Sequence, residues 1–119
     1  MAEFAYCKTS KNSTNLTMGI LIGIDIGGTK MLVAALDSEM NILQRRRLET
    51  PEDPLEAMDQ LHAMITEVSG GEEVIGIGCS IGGPIDIAAG TVSPLNMKRW
   101  RDIPMKQIME ERWACEWAV

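Results

Sequence analysis

Eight consecutive residues, Gly23-Ile-Asp-Ile-Gly-Gly-Thr-Lys30, carry the side-chain types that could handle a phosphate. Gly27 and Gly28 lack a Cβ, so a tight hairpin can form and a phosphate can come close to the backbone. Successive N–H groups in such a turn make an anion-binding nest. Thr29 adds a hydroxyl and Lys30 a cation. Asp25, at the end of an apolar run, can position a hydrated Mg²⁺, an ion that prefers carboxylate and phosphate oxygens. The spacing is not that of a Walker loop, and a strand follows where a dinucleotide-binding fingerprint needs a helix. Gly-Gly-Thr alone would be an ordinary hairpin turn; Asp25 and Lys30 beside it make the run specific.

The elements that must hold these residues can be read from period and punctuation. Ile20 to Ile26 is a short β-branched run closed by glycine, the pattern of a buried strand. Met31 to Leu36 reads as a second strand, and Ile42 to Glu49 as a third. Arg45, Arg46 and Arg47 interrupt the third, which suits a solvated edge. Asp53, Pro54 and Glu56 mark a helix start of capping-box type, and Gly70 and Gly71 mark its end. Leu55, Met58, Leu61, Ile65 and Val68 are expected on its buried face. His62 borders that stripe as a helix residue and not as a ligand, since no second histidine shares the chain. Val74 to Cys79 is a further buried strand, Gly82, Gly83 and Pro84 force a loop, and Thr91 to Leu95 is extended. Asp102 is expected to cap a last helix running to about Trp113, with Met105, Ile108, Met109 and Trp113 on one face. The first three strands are expected as antiparallel neighbours. The Val74 strand should join parallel to the first, because a helix connects them.

Length and composition limit what such a chain can be. It has 119 residues, 45% hydrophobic and 24% charged, which suits one globular α/β domain. A net charge of -6 argues against a nucleic-acid surface, which needs clustered Lys and Arg. No segment reaches the ~20 apolar residues of a membrane helix, so no membrane partner is expected. Cys7, Cys79 and Cys115 are odd in number and widely spaced, which favours reduced thiols in the cytoplasm over disulfides or zinc. Residues 1–17 are polar and without period, and read as a disordered leader ahead of a domain over 18–119. The N-x-[ST] triplets at Asn12 and Asn15 read as chance matches in it. The nine Met residues look like core gap-fillers, and Trp100, Trp113 and Trp117 like packing residues.

Three segments together resemble the ROK family of repressors, open reading frames and kinases. The first is Gly23 to Lys30, similar to the family's first phosphate motif. The second is Ile75-Gly-Ile-Gly-Cys-Ser-Ile-Gly-Gly-Pro-Ile-Asp86, similar to its G-I-G-x-x-x-P-G-P-[VI]-D strand and loop. Ile81-Gly82 stands where the family more often has Pro-Gly. The third is Gly90 to Trp100, similar to its "G … P-N-L … W" stretch. The resemblance covers Gly19 to about Arg112 and implies the ribonuclease-H-like, actin-like ATPase fold. It also implies ATP-dependent transfer of the γ-phosphoryl group to a hydroxyl of a hexose or N-acylhexosamine.

By position, Asp25, Gly27, Gly28, Thr29 and Lys30 would face the phosphates of ATP and its Mg²⁺. Gly83 and Pro84 would line the sugar, Asn96 would hydrogen-bond it, and Asp86 would close the loop. The family's catalytic base and, in many members, a cysteine-rich Zn²⁺ site would fall beyond Val119, in a second lobe that would also make a homo-oligomer. Residues 1–119 alone are therefore expected to be inactive. Two other readings stay open: the sugar-sensing lobe of a ROK regulator, and a non-catalytic fragment.

Overall fold

The computed structural model describes residues 2–9, 19–86, 88–113 and 115–118, so the Asn12 and Asn15 triplets and the Met18 boundary lie outside it. The strands are β1 (Ala2–Thr9), β2 (Ile20–Ile26), β3 (Lys30–Leu36), β4 (Ile42–Glu49), β5 (Val74–Gly82), β6 (Ile85–Asp86), β7 (Thr91–Val92) and β8 (Cys115–Ala118). A six-stranded sheet runs in the order β4-β3-β2-β5-β1-β8, and a two-stranded ribbon pairs β6 with β7. Two helices complete the fold, α1 (Pro54–Ser69) and α2 (Met105–Trp113).

The centre follows from the pattern of apolar residues. Ile20, Ile22, Ile24 and Ile26 point to one face of β2, and Met31, Val33 and Ala35 to the same face of β3. A strand alternates sides, so one register brings both sets together. On β5 the buried residues are Val74, Ile77, Cys79 and Ile81. The three-residue step from Val74 to Ile77 is the mark of a bulge, and the ladder shifts there between Ile20 and Leu21. Strands β2, β3 and β4 are antiparallel neighbours and β5 joins parallel to β2, as expected.

Helix α1 seals this face. Leu55 N–H donates to Asp53 Oδ1 at 3.3 Å, and Gly70, at φ 62°, ends the helix in the left-handed conformation that favours glycine. Its buried stripe is Pro54, Ala57, Met58, Leu61, Met64, Ile65 and Val68. Leu55 does not belong to it and is 60% exposed. Counting from Leu61 by threes and fours leads back to Met58, Ala57 and Pro54, and leaves residue 55 a quarter-turn away. Each fully buried apolar side chain of this layer contributes roughly 1.5–3 kcal/mol.

Three further expectations are corrected. Residues 2–9 are not a structureless leader: β1 pairs antiparallel with both β5 and β8. This stretch holds the chain's single Phe and single Tyr, strand-favouring residues that an average over the polar leader conceals. β5 runs on to Gly82, so the loop starts one residue later. Asp102 does not cap α2. It sits at φ 51°, outside the extended conformation an N-cap needs, and its N–H is taken by Ser93 Oγ at 2.8 Å. Among the described residues no helix is long and apolar enough to cross a membrane.

Candidate functional site

The Gly23–Lys30 segment forms the end of β2 and the turn into β3. Asp25 is exposed at the penultimate position of β2, opposite Leu32 of β3 and Ser80 of β5. Gly27 N–H closes the hairpin on Lys30 O at 2.9 Å. The N–H groups of Gly28 and Thr29 take no described partner and lie exposed at the tip. Thr50 braces the turn from behind: its hydroxyl donates to Gly27 O at 2.8 Å and its N–H to Thr29 O at 2.9 Å. Lys30 is 3.7 Å from Glu49, with both side chains largely in solvent. A pair this exposed holds the ammonium loosely.

The glycines work here by being small and not by unusual backbone. Neither Gly27 nor Gly28 adopts the left-handed conformation; among the described glycines Gly70, Gly71 and Gly90 do. A Cβ on Gly28 would lie 3.6 Å from Asn96 Cβ, so this bare backbone faces the 93–101 loop.

That loop is the opposite wall. Trp100, 1% exposed, anchors it in the core. Leu95 N–H donates to Gly83 O at 3.3 Å and Ser93 N–H to Pro84 O at 3.0 Å, which ties the loop to the end of β5 across the cis Gly83–Pro84 bond. Gly90, at φ 71°, lets the chain turn between β6 and β7. Between hairpin and loop lies a cleft of about 320 Å³ lined by Gly28, Thr50–Glu52 and Asn96–Trp100.

Of the sequence-predicted residues, this cleft brings Gly28 and Asn96 together. Pro84 instead lines a neighbouring hollow with Ile85, Asp86, Thr91, Ser93 and Asp102. Asp86 is used locally, its Oδ1 accepting the N–H of Ala89 at 3.0 Å. Sequence reasoning missed Thr50, Glu52, Lys98 and Arg99. Thr50-Pro51 was visible as punctuation before the helix cap. Arg99 and Glu52 approach to 3.8 Å across the mouth of the cleft, and no described residue pairs with Lys98. One thiol lies behind this region: Cys79 is free and buried, and burial followed by the nearby Asp25 charge pushes its pKa far up, so it stays a neutral thiol.

Comparison with known proteins gives a consistent result. A sequence model of the ROK family matches residues 21–119. A glucokinase of Streptomyces coelicolor is 33% identical over 95 residues, covering 80% of this chain and 30% of the relative. An N-acetylmannosamine kinase of Escherichia coli is 28% identical over 95 residues, covering 77% of this chain and 32% of the relative. The crystal structure of a ROK glucokinase from Streptomyces griseus, in complex with glucose and AMPPNP, superposes with a TM-score of 0.72 at 32% identity, over 82% of this chain and 31% of that one. The chain thus spans about a third of the length of the relatives it matches. The fold is that of the actin-like ATPases.

Proposed function

The chain belongs to the ROK family, and from that premise we propose that it is the part of an ATP-dependent sugar kinase that holds the donor phosphates and one wall of the acceptor pocket. The observation that carries this reading is the approach of Gly28, in the phosphate hairpin, to Asn96, in the sugar loop, across one cleft. A phosphoryl transfer needs donor and acceptor held side by side, and its catalysis is mostly positioning and charge stabilisation.

The residues suit Mg²⁺-ATP. The untaken N–H groups of Gly28 and Thr29 would receive phosphate oxygens, Lys30 would add a mobile cation, and Asp25 would hold a hydrated Mg²⁺. Bound Mg²⁺-ATP supplies the phosphoryl group and neutralises part of its charge. Asn96 carries both donor and acceptor atoms, which suits a sugar hydroxyl that does both. Gly83 and Pro84 would bear on the sugar chiefly through their backbone bonds to the Asn96 loop. The similarity to a glucokinase and to an N-acetylmannosamine kinase supports a hexose or an N-acylhexosamine as the acceptor. A kinase of metabolic sugars using ATP belongs in the cytoplasm.

Isothermal titration of the chain with Mg²⁺-ATP, glucose and N-acetylmannosamine tests the reading. Binding of Mg²⁺-ATP and of one sugar is expected, each weakened by Gly28→Val, which pushes a side chain into the shared cleft. Sugar binding that ignores both Gly28→Val and Asn96→Ala would sink it.

A further inference from the structure

The loop that carries Asn96 is held in an unusual way. Pro94 to Trp100 forms two successive turns, with Met97 N–H donating to Pro94 O at 3.1 Å and Trp100 N–H to Met97 O at 2.9 Å. Arg101, the next residue, folds back over both. Its Nη1 donates to Pro94 O at 2.9 Å, to Met97 O at 3.1 Å and to Trp100 O at 2.8 Å. The carbonyls of Pro94 and Met97 therefore accept twice, using both lone pairs. Nη1 has two hydrogens for three carbonyls, so one hydrogen is shared in a three-centre bond. A cation facing three converging carbonyl dipoles is favoured for the same reason as one at a helix C-terminus. No other described group takes the rest of the guanidinium.

This clamp spans Asn96. Two of its anchor points, Pro94 O and Met97 O, bracket that residue, and the third follows the buried Trp100. The side facing the cleft has no ladder to hold it: the backbone bonds of the loop run to Gly83 and Pro84 at one end and to its own turns. We propose that Arg101 is a positioning residue for the acceptor, fixing the 94–100 loop so that Asn96 stands against Gly28 of the phosphate hairpin. It does so without touching the cleft, whose lining ends at Trp100. The proposal rests on the acceptor-wall reading of Asn96. Its structural half, that the loop loses its order without Arg101, can be measured with no sugar present.

The experiment compares the chain with Arg101→Met, which keeps the stem and loses the donors, and Arg101→Lys. An ammonium offers three hydrogens to three carbonyls but from a side chain one atom shorter, so partial rescue is expected. Amide hydrogen exchange at Leu95, Met97 and Trp100 should quicken about tenfold or more in Arg101→Met, since bonds to a charged donor are among the stronger ones. Exchange in the β2–β3 ladder should not change. Titration with glucose and with N-acetylmannosamine should show affinity for the bound sugar falling about tenfold while that for Mg²⁺-ATP holds, with Arg101→Lys in between. Unchanged exchange in the loop would overturn the proposal. So would exchange that quickens equally in the β2–β3 ladder, or a matched loss of sugar and Mg²⁺-ATP affinity, since both describe a residue needed only for general stability. If the parent chain binds neither sugar, the acceptor reading of the cleft fails, and the positioning of an acceptor by Arg101 is overturned with it.

Discussion

The two walls of the cleft are built by different means. The hairpin wall is the end of a continuous ladder: β2 pairs on both sides, with β3 and with β5, and the strands of its sheet press their isoleucines, valine and methionine against α1. The loop wall has no such ladder. It hangs on three buried side chains, Pro94, Met97 and Trp100, on a ribbon of two residues per strand between β6 and β7, and on Arg101, which reaches back to backbone carbonyls. A ladder fixes position by many weak bonds in series, and losing one shifts little. A wall hung on a few anchors moves when one anchor goes. The hairpin side is therefore the fixed reference and the loop side the adjustable one; under the proposed reading, that division would suit one donor and a family of acceptors.

Removing the main anchor gives the largest expected effect. Trp100→Ala empties a fully buried site and should cost about 3–5 kcal/mol of stability, the usual range for large aromatic truncations. Urea unfolding followed by far-ultraviolet circular dichroism would measure it. A cost near zero would mean that the loop wall stands without its anchor, and the contrast between the walls would be lost.

The next two variants separate the walls by ligand. Asp25→Ala should weaken Mg²⁺-ATP by roughly 1.5–3 kcal/mol, the range for hydrogen bonds to a charged group, with sugar affinity retained. Asn96→Ala should do the converse, weakening the sugar by about 1–3 kcal/mol with little change for Mg²⁺-ATP. Calorimetry on the two variants reads both. If each variant weakens both ligands alike, the walls act as one unit. If Asn96→Ala moves only the melting temperature, Asn96 is a turn residue.

The same division governs what the sequence revealed. The ladder wall was legible because isoleucine alternation, the Asp53-Pro54 start and the Gly70-Gly71 stop are local signals with a fixed period or a fixed place. Two of its details escaped: a bulge beside Ile75 changed the step of β5, and Leu55 lay off the helix stripe. The loop wall has no period. Asn96 was singled out only by its resemblance to a family motif, and the β6–β7 ribbon was too short to show as alternation. Arg101 and Thr50 act on backbone atoms, and which carbonyl a side chain reaches is decided by tertiary packing. Asp102 shows the limit most clearly. Its residue type suits an N-cap, yet it sits in a left-handed conformation with its N–H bonded to Ser93.

The smallest effect comes from the turn between β3 and β4, where the ladder wall itself relies on a side chain. Asp37 carboxylate accepts the N–H of Glu39 and of Asn41, each at 2.9 Å, and the Asn41 side-chain amide at 3.1 Å. These bonds, led by that from the Asn41 backbone, hold the Asp37 pKa below its ordinary value of 3.8. The unfolded chain then binds this proton more readily than the folded one, so the turn's contribution is complete above 3.8 and fades as pH falls through the lower folded value. Asp37 is partly open to solvent, which screens what it adds. Acid should loosen the turn while the ladder holds. Proton–nitrogen correlation spectra recorded down to acid pH should show the Glu39 and Asn41 amides moving together with a midpoint below 3.8. The Ile22 and Ile24 amides should stay in place over the same range. Movement of those central amides with the same midpoint would mean that the hairpin wall is only as firm as its turns, and that both walls are hung on side chains.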